Sequence, residues 1–292
     1  MADPTQHRRS DEEDEGRPDG SPDLKPHEEK KADEEQSLSA DVTHEVIRRE
    51  GEEELKRSTS ALAWSGLAAG LAMGFSLVAE GVMKAHLPDA EWAPLVARLG
   101  YSFGFLIVIL GSQQLFTENT LTVIVPLMAK PTGEMLGNVA RLWSVVLLAN
   151  LLGALLFACV IGRTALFGPE VHDAFAAIGA KAVASGFWLT VLKAVFAGWL
   201  IALMVWMLPA AESSQVLVIV LMTWLVGMGE FAHIVAGAAG VFYLAVTGAL
   251  GWGATLTRFI VPTLLGNVVG GVMLASALNH AQVTAGGGKG GK

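Results

Sequence analysis

Gly111-Ser112-Gln113-Gln114-Leu115-Phe116-Thr117-Glu118-Asn119-Thr120 interrupts an apolar run that otherwise extends from Leu99 to Ala129. Gly227-Met228-Gly229-Glu230-Phe231-Ala232-His233, with Gly237 and Gly240 beyond it, does the same to a run from Val216 to Leu250. Each run is too long for one straight crossing, since a membrane-spanning helix needs about 20 apolar residues. Backbone that leaves the helix at membrane depth must be buried in protein or line a wet cavity, because lipid cannot satisfy its hydrogen bonds. Two broken helices are therefore expected.

Outward from these stretches, the runs Ala61–Met83, Leu142–Ile161, Phe187–Leu208 and Phe259–Leu278 each fit one crossing. The fold class is then an all-α membrane protein with six transmembrane helices, the second and fifth broken. Asn150-Leu151-Leu152-Gly153 in the third span matches Asn267-Val268-Val269-Gly270 in the sixth at an offset of 117, and the same offset sets Phe116 on His233. Three crossings per half is an odd number, so the halves are expected to be inverted repeats. Paired interruptions at matching positions of such repeats point to a solute site at the bilayer midplane.

The small residues Gly66, Gly70 and Gly74 read as helix-packing positions, as do Gly153 and Gly270. Asn150 and Asn267 are expected to hydrogen-bond the frayed backbone of a neighbouring broken helix.

Charge is segregated along the chain. Residues 1–57 hold ten Lys/Arg and nineteen Asp/Glu, a net of −9, which leaves ten basic and nine acidic groups for the rest. That acidic leader lacks the apolar surface to offset ordering and reads as disordered and cytoplasmic, with a short helix near its end supported by Glu45–Arg49 and Glu53–Arg57 pairs. Residues 58–281 form the channel domain and 282–292 a Gly/Lys-rich disordered tail. No signal peptide is expected, because the first apolar run begins near Ser60. Cys159 is the single cysteine, so no intramolecular disulfide is available. The bias of basic residues near span ends, Arg48, Arg49, Lys56, Arg57, Lys130, Arg141, Lys289 and Lys292 against Lys84, Arg98, Arg163, Lys181 and Arg258, favours both termini inside.

Few residues inside the apolar runs can do chemistry. His233 is an intramembrane ionisable group and so a functional candidate, able to present a proton or positive charge to an anion near neutral pH. Thr117, with Ser112 and Asn119, supplies hydroxyl and amide groups in the first break, where half-helix N-termini favour anions. Leu115, Phe116 and Phe231 are apolar neighbours that could narrow the route, with core packing as the alternative. Glu118 and Glu230 would repel anions if ionised and facing the pore; a structural role, protonated or tied to loop N–H groups, is the favoured reading. HExxH, CxxC, GxSxG and GxxxxGK[ST] are all absent, so no enzyme, metal or cofactor is expected.

Six spans, the Leu115-Phe116-Thr117 loop, the histidine-bearing fifth-span break and Gly266-Asn267-Val268-Val269-Gly270-Gly271 together resemble the formate/nitrite transporter family. Gln113 to Thr120, Met222-Thr223-Trp224-Leu225 and the leader ending His44-Glu45-Val46-Ile47-Arg48 resemble its YfdC-like bacterial branch, with the family match over residues 58–281. The resemblance implies an aquaporin-like fold, a homopentamer with one pore per protomer in a bacterial inner membrane, and a meeting of Thr117 with His233 at the pore centre. It implies as solute a small weak-acid anion, protonated or nearly so at the histidine. Two departures stand out: Gly237 and Gly198 lie where formate and nitrite members carry asparagines, and Lys181 only approximates their vestibule lysine. A neutral-solute pore on the same scaffold, or a membrane scaffold or sensor with a vestigial pore, are the alternatives.

Overall fold

A computed structural model describes residues 39–286, and all regular structure among them is helical. The disorder expected of residues 1–38 and 287–292 lies outside the described residues. Helix α1 (Ala40–Lys56) is the short helix expected at the end of the leader, opened by the Ser39 hydroxyl accepting from Val42 N at 3.3 Å. The Glu45–Arg49 pair forms at 2.6 Å, but Arg57 bonds Glu54 rather than Glu53, which pairs with Lys56 instead. The reason is local: Arg57 is the C-cap, in extended conformation, and no longer lies on the helical face one turn from Glu53.

α1 is packed on the apolar domain. Ile47 and Leu55 are buried, and a Cβ at Gly51 would run into the Thr122 carbonyl. Its last carbonyls are held by Arg141, which donates to Leu55 O at 2.8 Å and to Arg57 O at 3.0 Å.

The apolar helices follow: α2 (Thr59–His86), α3 (Ala93–Leu110), α4 (Asn119–Ala129), α5 (Gly133–Arg163), α6 (Pro169–Ala182), α7 (Phe187–Ala211), α8 (Gln215–Met228) and α9 (Ile234–Val246). The last, α10, starts as Trp252–Thr255, widens into a π-helical turn over Leu256–Ile260 and continues as Val261–Gly286. Among the described residues, five helices are long and apolar enough to cross a membrane: α2, α3, α5, α7 and α10. The second expected span is split into α3 and α4, and the fifth into α8 and α9, at the two interruptions the sequence marks.

The two halves are assembled by the same plan. α2 packs along α5, and α7 along α10, as the two most extensive helix pairs. In the first pair a Cβ at Gly70 would strike the Asn150 carbonyl and one at Gly153 the Leu67 carbonyl; in the second, Gly198 backs onto Asn267 O and Gly270 onto Val195 O. Only hydrogen fits at these crossings, the close approach that small residues permit. Gly198 is therefore a packing residue here, with no room for an amide. Trp64, Leu148 and Trp188 are 73%, 68% and 78% exposed, so much apolar surface faces outward, as lipid or neighbouring copies would require.

Candidate functional site

Both breaks are built from one hydrogen-bond scheme. α3 ends at Gly111 with Ser112 at φ 48°, and α8 ends at Gly229 with Glu230 at φ 52°. Gln113 N donates to Val108 O (2.9 Å) and Ser112 N to Ile109 O (3.0 Å), while Phe231 N donates to Val226 O (3.1 Å) and Glu230 N to Gly227 O (3.2 Å). This paired pattern is a Schellman stop, with a non-glycine in the left-handed position each time.

The freed backbone is then taken up by asparagine. Asn150 Oδ1 accepts from Phe116 N (2.9 Å) and its Nδ2 donates to Gln114 O (2.8 Å) and Gly66 O (2.7 Å). Asn267 Oδ1 accepts from Ile234 N (2.8 Å) and its Nδ2 donates to Ala232 O (2.9 Å) and Ala194 O (2.8 Å). Both asparagines hold broken backbone, as their burial demands. The bonds also correct the register: Phe116 corresponds to Ile234, an offset of 118, so His233 corresponds to Leu115 and not to Phe116.

At the centre, Thr117 and His233 meet. Thr117 Oγ1 lies 2.8 Å from His233 Nε2, and the two side chains are 0% and 1% exposed. His233 is the N-cap of α9, its Nδ1 accepting from Ala236 N at 3.2 Å. That acceptor role leaves Nε2 to carry the proton of the neutral ring and to point it at Thr117. Phe105, fully buried, meets the imidazole edge to face at 5.0 Å. Leu115 and Phe116 are buried beside Thr117, with Phe116 against Trp143 at 5.8 Å, and Phe231 stacks on Phe196 at 5.3 Å. Asn119 closes its own loop, donating to Gln114 Oε1 and Leu115 O.

Two cavities approach this centre from opposite ends of α3, α7 and α8. The first, of about 750 Å³ counting its open mouth, ends at His233 and is bordered by Arg98, Lys181 and Lys193 together with Glu80 and Glu230. Glu230 bridges Lys181 and, at 3.8 Å, Lys193, so it is held by cations rather than by loop N–H groups. Glu80 pairs with Arg98 at 2.5 Å. The second cavity is lined by Glu50 and Glu54 of α1 and by Glu118, with Gln113, Gln114 and Asn119 at its floor. Glu54 accepts from Gln114 Nε2 at 2.7 Å and pairs with Arg57, whereas Glu118 Oε1 is buried with no hydrogen-bond partner among the described residues. Burial, and secondarily the charge of Glu54, push the Glu50 carboxyl above the usual carboxylate range.

Sequence reasoning missed Arg98, Lys193, Glu80 and Phe105 as neighbours of the route, and Glu50, Glu54 and Gln114 as its lining on the α1 side. It also missed Phe259, whose ring occupies the space a side chain at Gly237 would need. The absent amide at Gly237 thus has a physical replacement, an aromatic ring.

The model of the formate/nitrite transporter family matches residues 41–281, so the match includes α1. Inner membrane protein YfdC of Escherichia coli (strain K12) is 45% identical over 240 residues, which cover 82% of this chain and 77% of that protein. Formate channel BtFdhC of Bacillus thuringiensis is 25% identical over 235 residues, covering 78% of this chain and 88% of that protein. A pentameric formate channel with formate bound superposes with a TM-score of 0.67 over 81% of this chain and 99% of that one, at 21% identity. An FNT family ion channel superposes with a TM-score of 0.71 over 83% and 98%, at 17% identity.

Proposed function

The chain belongs to the formate/nitrite transporter family, and we propose that it passes small monovalent weak-acid anions such as formate across a bacterial inner membrane, linked to a proton at His233. The observation that carries this reading is the Thr117–His233 hydrogen bond at the point where the lysine-bordered cavity ends. An anion drawn in by Lys181, Lys193 and Arg98 loses water as it reaches His233, where Nε2–H is the donor aimed into the route. Beyond lie Phe105, Leu115 and Phe116, which penalise a charge.

Anion and imidazole then take up one proton as a unit. The products, an imidazolium paired with the anion or a neutral imidazole beside the neutral acid, both carry no net charge. The second of these is the form that crosses the apolar stretch. Nδ1 keeps its lone pair for Ala236 N in that form, so α9 retains its cap. Thr117, released from Nε2, donates or accepts as the passing carboxyl requires.

The pentameric channel neighbour supports a homo-oligomer, and native mass spectrometry that returned a clean monomer would remove that part of the reading. On this reading both termini are cytoplasmic, so the glutamate-lined cavity faces inward and the lysine-bordered one outward.

The experiment is uptake into proteoliposomes of formate, nitrite, acetate and glycerol at about pH 5.5 and about pH 7.5, with His233→Ala beside wild type. Uptake of the weak acids rises with acidity in wild type and falls in the variant. Movement of glycerol alone, or pH-independent anion flux, would replace the weak-acid reading with a neutral pore.

A further inference from the structure

We propose that Phe259 is a specificity-determining residue of the barrier, turning the pore toward weaker, more lipophilic monocarboxylic acids of the acetic acid class and away from formate and nitrite. This rests on the weak-acid reading of His233 and names the substrate class within it.

Phe259 lies in the π-helical turn of α10, where the widened turn re-aims side chains relative to a regular helix. Its ring is 1% exposed and is seated on Gly237, where an added Cβ would run into it. Gly237 is one turn beyond the histidine, its N–H donating to His233 O at 2.9 Å. The lysine-bordered cavity therefore reaches His233 along a wall of Ala236, Gly237, Gly240 and Phe259. Phe105 faces the imidazole from another direction. Among the described residues, the imidazole nitrogens have only Thr117 Oγ1 and Ala236 N as hydrogen-bond partners.

A solute beside the imidazole meets Nε2–H, the Thr117 hydroxyl and, on the Gly237 side, the hydrocarbon and aromatic surface of Ala236, Gly240 and Phe259. An anion gets too little hydrogen bonding to replace its water, so passage belongs to the neutral acid. At a fixed pH above both ionisation ranges, the neutral fraction rises about tenfold for each unit by which the acid is weaker. Acetic acid is weaker than formic or nitrous acid, and its methyl group finds an apolar wall rather than an amide. Proton affinity and wall chemistry favour the same order.

The ring's share in that order is separable by exchanging the groups in the same space. The measurement is the ratio of acetate to formate flux at about pH 6 in proteoliposomes, with protein-free vesicles subtracted. Wild type favours acetate several-fold. Phe259→Ala/Gly237→Asn, which puts an amide where the ring was, brings the ratio to parity or below, and Phe259→Leu, which keeps an apolar wall, retains the preference for acetate. Phe259→Ala alone moves the ratio the same way by a smaller factor, so misfolding of the double variant leaves a readout. A wild type that carries formate as fast as acetate, or a ratio that no folded Phe259 variant shifts, overturns the proposal while leaving the weak-acid reading intact. Flux of neither acid removes that reading and the inference together.

Discussion

The two cavities that approach the Thr117–His233 centre are built on matching breaks and carry opposite charge. Arg98, Lys181 and Lys193 outnumber Glu80 and Glu230 at one, and at the other Glu50, Glu54 and Glu118 are lined up with no Lys or Arg among the described lining residues. The same Schellman stop and the same asparagine clamp underlie both, so the shared scaffold does not dictate the charge. The lysines and Glu230 come from α6, α7 and the second break, whereas two of the three opposing glutamates come from α1. A helix outside the apolar spans thus sets the character of one mouth. On the proposed reading, anions gather at the first and are repelled at the second, where protons gather instead. That division suits a solute that enters as an anion and crosses as an acid.

Equality of the scaffolds is the first half of this comparison to test, and it carries the largest expected effect. Asn150→Ala and Asn267→Ala each remove three buried hydrogen bonds, two of them to backbone of the break that has no helical partner. Each is expected to cost about 2 to 3 kcal/mol in detergent-solubilised unfolding, and the two values should agree within about 1 kcal/mol. A large loss for one and none for the other would mean that the two breaks are not equivalent supports.

The charge difference is tested next. Lys181→Gln/Lys193→Gln should raise the half-saturating concentration of formate from that mouth roughly tenfold at low ionic strength, with the gap closing as salt is added. The matching change at the other mouth, Glu50→Gln, acts on one carboxylate of three, and its effect on flux should be well under that. Equal effects at the two mouths would break the assignment of anion capture to the lysines.

How much of this was legible in the sequence follows from what leaves a mark in one. Breaks do, because glycine and polar residues interrupt an apolar run, and Asn150 and Asn267 do, because an amide in a span needs partners. The meeting of Thr117 with His233 came from family resemblance; their separation of 116 positions says nothing of contact. The register was one residue off because a motif offset of 117 was carried across a break, and the extra residue shows only in which N–H each asparagine holds. Lys193 lay hidden inside the run Phe187–Leu208, where a single cation can be absorbed without breaking the pattern. Phe259 was invisible for the opposite reason: it looks like any other apolar residue of its span, and a π-helical turn has no compositional signature. For Glu230 the sequence favours a structural role, protonated or tied to loop N–H groups; the turn uses its own carbonyls for those N–H groups, which frees the carboxylate for Lys181 and Lys193.

Glu50 gives the α1-side mouth a pH dependence of its own. Its carboxyl is held above the ordinary range by burial first and Glu54 second, so the folded protein binds that proton more tightly than the unfolded chain does. Stability is then greatest below the ordinary carboxylate range, about pH 4, and declines as pH rises through the folded value. Glu50→Gln should unfold at the same denaturant concentration as wild type at the acid end and at a higher one near neutrality. A variant that is less stable than wild type near neutrality would show that Glu50 is held ionised by a favourable partner.

The smallest effect sharpens the comparison at the turn itself. Ser112 and Glu230 hold equivalent left-handed positions, and each gives up about 1 kcal/mol to a conformation that glycine adopts freely. Ser112→Gly should therefore stabilise the protein by up to about 1 kcal/mol, offset in part by the freer unfolded chain. Glu230→Gly gains the same backbone relief but leaves Lys181 and Lys193 without their shared carboxylate. Its net should be near zero or unfavourable, and the difference between the two variants measures what the ion pairs add at one mouth and not at the other. If both glycines stabilised equally, the bridge would be contributing nothing to the fold, and the lysines would be held there for the solute alone.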